Sequence, residues 1–232
     1  MYSLEDSTET HDITRFQVKG LLRFPHAMRQ KVGRYQKVKR LIDILGVLFS
    51  LPILLPLLAI LALCIFIEDR GPIFYKQQRV GIYGQPFYIY KLRSMIKNAD
   101  AYLIQHPTLL RAWKQNGKIQ HDPRVTCFGR LLRRTSLDEL PQIVNVLRGE
   151  MSLVGPRAIQ FSEVAAFGEL NALRQQVKPG LTGLWQISGR SHINYVQRCL
   201  LDCIYVMDRS LWVDMHIICK TLPAVMSGDG AF

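Results

Sequence analysis

The sequence predicts a helix-rich α+β fold: a re-entrant membrane helix hairpin, a small β-hairpin, and amphipathic helices lying at an interface. Three observations predict it. Residues 41–67, LIDILGVLFSLPILLPLLAILALCIFI, are apolar apart from Asp43 and carry Pro52 and Pro56 at their centre. Residues 72–95, PIFYKQQRVGIYGQPFYIYKLRSM, alternate apolar and polar side chains on both sides of Gly81 and Gly84, the pattern of two paired strands. Toward the C-terminus, helical stretches alternate with glycine and proline breaks, and Trp212, Met215, Ile218 and Leu222 recur at helical spacing.

Residues 1–14 hold Glu5, Asp6, Glu9 and Asp12, whereas Arg15 to Arg40 contain no acid and recurrent Lys and Arg. The expectation is a flexible basic N-terminal segment over 1–35 that sits on an anionic surface. The apolar run follows. At about 1.5 Å per residue it is long enough for a bilayer core of about 30 Å, and few soluble helices are apolar on every face. Its flanks are both basic: Lys37, Lys39 and Arg40 before it, Arg70, Lys76, Arg79, Lys91, Arg93 and Lys97 after it. Basic flanks mark the cytoplasmic side, and prolines remove backbone donors and bend a helix. The two together predict a segment over 36–68 that enters the membrane, breaks at Pro52 and Pro56, and leaves on the side it entered. Asp43 is expected to pair with Lys39 or Arg40 one helical turn back.

The hairpin places Lys91 and Arg93 at a strand end. Helical stretches are expected near 98–120 and 160–176, and KPGLTGLWQISGR, residues 178–190, reads as a glycine-punctuated loop with Lys178 and Arg190 at its ends. The C-terminal stripe with Trp212 suits an interfacial helix, and a packed core helix matches the pattern equally. Trp185 is expected in the core.

With 232 residues the chain can bury one core of ordinary size, and its formal charge of +12 calls for an anionic partner. Five cysteines without a C-x-x-C pair, and histidines without paired spacing, point away from a disulfide framework or a zinc site.

The segment TSLDELPQIVNVLRGEMSLVGPR, residues 135–157, sets Asp138 beside Glu139 with Arg133, Arg134, Arg148 and Arg157 nearby. Ser136 and Glu139 match a capping box, which would make the acids a helix start. Pro141 fits that frame poorly, because an N–H is wanted at its position. The alternative is that carboxylates at a helix start face arginines where phosphate would also bind.

Five motifs in fixed order, KR-L-I-D before the proline-broken run, YKLRSM, LRRTSLDELPQ, GEMSLVGPR and KPGLTGLWQISGR, carry a resemblance from Lys39 to the C-terminus. They resemble the monotopic phosphoglycosyl transferases among the bacterial sugar transferases, most closely the exopolysaccharide undecaprenyl-phosphate galactose phosphotransferases. The resemblance implies transfer of a sugar 1-phosphate, galactose or glucose, from a UDP-sugar to undecaprenyl phosphate with release of UMP. That is the first step of an exopolysaccharide repeat unit. It also implies a covalent aspartyl-phosphosugar intermediate, Mg2+ as cofactor, and an active site at the cytoplasmic face of the bacterial inner membrane. Carried over by motif, Asp138 is the nucleophile, Glu139 and Asp138 the magnesium ligands, and Lys91, Arg93, Arg133, Arg157 and Arg190 the substrate-binding cations. Residues 69–232 are then the cytoplasmic catalytic domain. Membrane lipids are further partners, nucleic acid is not among them, and homo-oligomers are compatible with the sequence. The chain departs from the family twice. Ala158 stands where P-R-P has its second proline, and Leu55-Pro56 replaces Ser-Pro at the membrane break, leaving that kink without a serine hydroxyl.

A membrane-tethered nucleic-acid or anionic-lipid binder without catalysis would also explain the charge, and LRRTSLDELPQIVNVLRGE could pass for a helix-turn-helix fragment. A DNA reader, however, has little use for a proline-broken membrane run directly before its domain.

Overall fold

A computed structural model describes residues 27–116, 119, 121–189 and 193–226. The first element is a helix of 43 residues, α1, Ala27–Asp69, with Pro52 and Pro56 inside it. It is one continuous helix, not two joined by a turn, and it already begins within the stretch read as a loose basic segment. The most apolar part of Gly33–Asp69 has a mean hydropathy of 2.8, and α1 is the helix among the described residues that is long and apolar enough to cross a membrane.

One face of α1 packs on the rest of the protein. Val47, Leu61 and Ile65 are buried, with Leu51, Leu54, Leu57 and Leu58 partly so, and these positions recur every three or four residues. The other face presents Leu48, Phe49, Ile53, Leu55, Ile60, Leu63, Phe66 and Ile67, with Phe49 90% exposed. A contiguous apolar face of that size is the signature of a membrane or protein contact. A serine does take part near the prolines: the Ser50 hydroxyl donates to the Val47 carbonyl at 2.8 Å, one turn before Pro52, a bond that tends to bend a helix.

Polar ties run the length of α1. Arg40 donates to the carbonyls of Val146 and Leu147. Lys39 pairs with Asp214 at 2.8 Å, and Tyr35 donates to the same carboxylate. Asp43 therefore does not pair with Lys39 or Arg40 as expected; those side chains are drawn to the C-terminal helix and to a helix end. Its buried carboxylate instead accepts from the Ser152 hydroxyl at 3.1 Å and the Leu153 amide at 3.0 Å. At the far end Glu68 accepts from the Phe128 amide, and Asp69 pairs with Arg93 at 2.8 Å. Asp43→Ala is expected to destabilise the protein by about 2–4 kcal/mol, because it leaves a buried hydroxyl and amide unpaired. Thermal melting of the micelle-solubilised variant measures this; an unchanged melting temperature contradicts it.

Strands β1, Phe74–Val80, and β2, Pro86–Leu92, form the expected antiparallel hairpin, with Tyr75 opposite Lys91 and Arg79 opposite Phe87. The stretch near 98–120 divides into α2, Ala99–Gln105, and α3, Pro107–Asn116, at a proline that cannot continue a helix. Helix α4, Cys127–Arg134, is capped by Thr126 and leads to a 3₁₀ turn, Leu137–Gln142, and α5, Ile143–Arg148. The capping-box reading fails here. Ser136 is left-handed at φ 55° and makes no side-chain cap, and Glu139 turns to a lysine.

Beyond this, β3, Ser152–Val154, pairs in parallel with β4, Gly180–Thr182, so part of the expected 178–190 loop is a strand. Here glycine is required: a Cβ on Gly180 would overlap the backbone of Gly155, and one on Gly155 the carbonyl of Lys178. The stretch near 160–176 is a 3₁₀ segment, Phe161–Phe167, and α6, Leu170–Arg174, divided at Gly168 with φ 51°. Helices α7, Leu184–Ile187, α8, Tyr195–Asp208, and α9, Leu211–Met226, complete the described chain. In α9 the buried positions are Asp214 and Ile217, while Trp212, Met215 and Leu222 are exposed, Trp212 by 83%. The stripe read from the sequence is thus mostly the outward face.

Candidate active site

Packing of β2 against the 3₁₀ turn brings Lys91 to the paired acids. The Lys91 ammonium lies 2.6 Å from Glu139 Oε1 and 3.7 Å from Asp138 Oδ2. Asp138 is buried, while the Glu139 side chain keeps 25% exposure. Pro141 lies within the turn and Ser136, just before it, is left-handed at φ 55°, so the acids sit on a 3₁₀ turn and not on the first turn of an α-helix.

The two carboxylates are driven apart electrostatically. Burial pushes Asp138 above its ordinary value; Lys91 opposes this, and the charge of Glu139 adds to it. Burial also works against a charged Glu139, yet Lys91, Arg157 and Arg79 together hold that carboxyl down at about 2. One site thus contains a firmly ionised acid beside a more basic carboxylate, an arrangement suited to a ligand next to a nucleophile.

The cations around them come from four elements. Arg133, at the end of α4, donates from Nε to Ser94 Oγ at 2.9 Å; burial lowers its pKa and Asp138 opposes that shift. Arg157 lies over the Trp185 ring at 5.3 Å and acts electrostatically on both acids. Trp185 is buried as expected, but it is also a platform, since Arg198 stands 5.0 Å from the same ring. Arg79 is buried; its guanidinium donates to the Ala158 carbonyl at 3.2 Å and lies 3.5 Å from Glu163. Burial, then repulsion from Arg157, lowers Arg79 to about 10.

Lys91, Arg133 and Arg157 thus gather with Asp138 and Glu139. Arg93 does not join them: it is taken by Asp69 at the end of α1 and packs against Gly71, where only a missing Cβ leaves room. Its role here is to tie the helix to the hairpin. Arg190 lies outside the described residues. Sequence reasoning overlooked Arg79, which it counted only among the flanking charges; its position at the inward end of a strand before Gly81 was the available signal. Arg198 carried no motif signal.

Magnesium can be tested against this donor set. Among the described residues no group of three or more His, Cys, Asp or Glu side chains forms a cage. Mg2+ commonly uses one or two carboxylates and completes its shell with phosphate oxygens and water. Asp138 and Glu139 fit a metal shared with a phosphorylated substrate.

Comparison with known proteins identifies the family. A family model described as bacterial sugar transferase matches residues 34–228. The chain is 41% identical over 198 residues to the exopolysaccharide production protein ExoY of Sinorhizobium fredii, covering 84% of this chain and 88% of that protein. It is 41% identical over 216 residues to the undecaprenyl-phosphate galactose phosphotransferase of Salmonella typhimurium, 91% of this chain and 45% of that protein. It is 40% identical over 202 residues to the UDP-glucose:undecaprenyl-phosphate glucose-1-phosphate transferase of Caulobacter vibrioides, 84% of this chain and 72% of that protein. With the family matched over nearly the whole of its described part, this chain belongs to the bacterial sugar transferases and is a phosphoglycosyl transferase.

Proposed function

We propose that the protein transfers a sugar 1-phosphate, galactose or glucose, from a UDP-sugar to undecaprenyl phosphate, releasing UMP, as the first step of exopolysaccharide repeat-unit synthesis. The observation that carries this reading is the buried Asp138 beside an ionised Glu139 under Lys91, with Arg133 and Arg157 converging on the pair.

An oxygen of Asp138 attacks the phosphorus that bears the sugar, and the bond to the UMP oxygen breaks. The aspartyl-phosphosugar then yields its phosphorus to an oxygen of the lipid phosphate, which returns the free carboxylate. Dividing the transfer in two avoids bringing both large substrates together at once. Arg133 and Arg157 stabilise charge that develops on the transferred group, and being held in place beforehand they need little reorganisation. Lys91 keeps Asp138 ionisable despite its burial. Magnesium held by Glu139 and Asp138 would offset repulsion between the anionic nucleophile and the pyrophosphate.

The reading also places the enzyme at the cytoplasmic face of the inner membrane, where UDP-sugars are found. The contacts of α1 support this. From Arg40 to Glu68 a straight helix would extend about 42 Å, yet both ends are bonded to the same polar domain. A helix crossing the bilayer would carry one of those ends to the far side. An α1 that instead dips its exposed apolar face into one leaflet keeps every contact.

The test is a panel of UDP-sugars offered to the membrane-embedded protein with undecaprenyl phosphate. UMP is expected from UDP-galactose or UDP-glucose; release from no UDP-sugar overturns the reading. Lys91→Met supplies a finer check. Lys91 lowers Asp138, so its loss should raise that pKa further. Because the nucleophile must be ionised, activity falls as pH drops through its pKa, and the acid limb of kcat/KM is expected to move to higher pH. An acid limb that stays in place, or moves lower, contradicts the role of Lys91.

A further inference from the structure

Arg157, followed by Ala158, lies in the irregular segment between β3 and the 3₁₀ segment Phe161–Phe167. Its backbone is nevertheless held from several sides. The Arg174 guanidinium donates to the Arg157 carbonyl at 2.8 Å, while its Nε and a terminal nitrogen bond Asp202 at 2.8 and 2.7 Å. The amide of Arg157 stabilises the charge of the same Asp202 carboxylate. One buried ion pair is therefore tied directly to the backbone carbonyl of Arg157. Arg157 also bridges to Gly180, and the next carbonyl, that of Ala158, accepts from Arg79.

This pair is nearly inaccessible, with side-chain exposures of 3% and 2%, and Arg174 is seated 4.6 Å from the Phe167 ring. Asp202 Oδ1 is buried with no hydrogen-bond partner. Burial pushes Asp202 up to about 6 against the pull of Arg174. A buried ion pair with an unsatisfied oxygen is a poor source of stability, because desolvation offsets its attraction. An apolar pair of the same volume would fill the space between α6 and α8 equally well. What an apolar pair could not do is hold the backbone carbonyl of Arg157. The planar guanidinium fork suits that task, since it bonds a carboxylate and a carbonyl in one plane.

The geometry points to Arg174 and Asp202 as positioning residues that hold the backbone of Arg157, keeping its guanidinium over Trp185 and within reach of the Asp138–Glu139 pair. The inference rests on the reading of Arg157 as a phosphate-binding residue.

A double-mutant cycle separates the two ideas. Asp202→Asn keeps the volume and removes the charge; Arg174→Lys keeps the charge and removes the fork. A folding failure in one therefore leaves the other informative. Each is made in the wild-type and in the Arg157→Lys background, and UMP release is normalised to the folded fraction. In the wild-type background each change is expected to lower kcat/KM by about 10–100-fold, the scale of a displaced catalytic contact, and to weaken inhibition by UMP. In the Arg157→Lys background each should cost less than about twofold, because the contact being positioned is already lost. Equal losses in both backgrounds, or no loss in the wild-type one, overturn the positioning role. Full activity of Arg157→Lys alone would instead overturn the phosphate-binding role of Arg157.

Discussion

Asp138→Asn is expected to abolish turnover, lowering kcat by at least about 10³-fold, the scale seen when a nucleophile is removed. An amide cannot form the acyl phosphate, and the remaining arginines bind the donor without transferring anything. Incubation of the wild-type protein with UDP-sugar labelled in the sugar, with no lipid acceptor, should leave label on the protein near one per active site, and peptide mapping should place it at Asp138. The Asn variant should take up none. Glu139→Gln is expected to behave differently: slower turnover, retained labelling and a weaker dependence on magnesium. Label on another residue, or substantial activity of Asp138→Asn in protein shown free of deamidation, would rule out the two-step route through Asp138.

The second large effect concerns the membrane. Cysteines or reporter tags near residue 20 and near residue 100 are both expected on the cytoplasmic side. A tag at 100 found outside would overturn the re-entrant reading. Pro52→Leu with Pro56→Leu restores the two backbone donors that α1 lacks at these positions, favouring a straight apolar helix long enough to cross. The double variant is expected to place part of the population with residue 100 outside and to lose activity in proportion. The contacts of Arg40, Asp43, Glu68 and Asp69 with the domain oppose that inversion. If both tags stay inside in the double variant, those polar ties, and not the prolines, keep the chain on one side.

Much of this arrangement was legible in the chain. The apolar run, the alternation around Gly81 and Gly84, and the acid pair amid arginines are local patterns, and local patterns report the elements they build. The split of 98–120 at Pro107 and of 160–176 at Gly168 was signalled by residues that break helices, although the expected helices ran through them.

Partner choice was not legible in this way. Asp43 had two cations one turn away and took neither, because Lys39 found Asp214 and Arg40 found the end of α5, residues more than a hundred positions distant. Arg93 resembled a substrate ligand by its motif and was drawn to Asp69 instead. Arg79 looked like one more flanking charge until the hairpin register turned it inward toward Glu163 and the Ala158 carbonyl.

By itself the sequence determined a long apolar helical run, a hairpin, an acid pair set among arginines and the family to which they belong, since each depends on neighbours within a few residues or on motif order. Only the tertiary structure decided which cation serves which anion. A charge pairs with whatever partner the fold brings within a few ångströms at low dielectric, and sequence separation does not enter that distance. The same holds for the site: Asp138 and Glu139 are adjacent in any conformation, but their different acidities arise only when Lys91, Arg157 and Arg79 converge from three other parts of the chain.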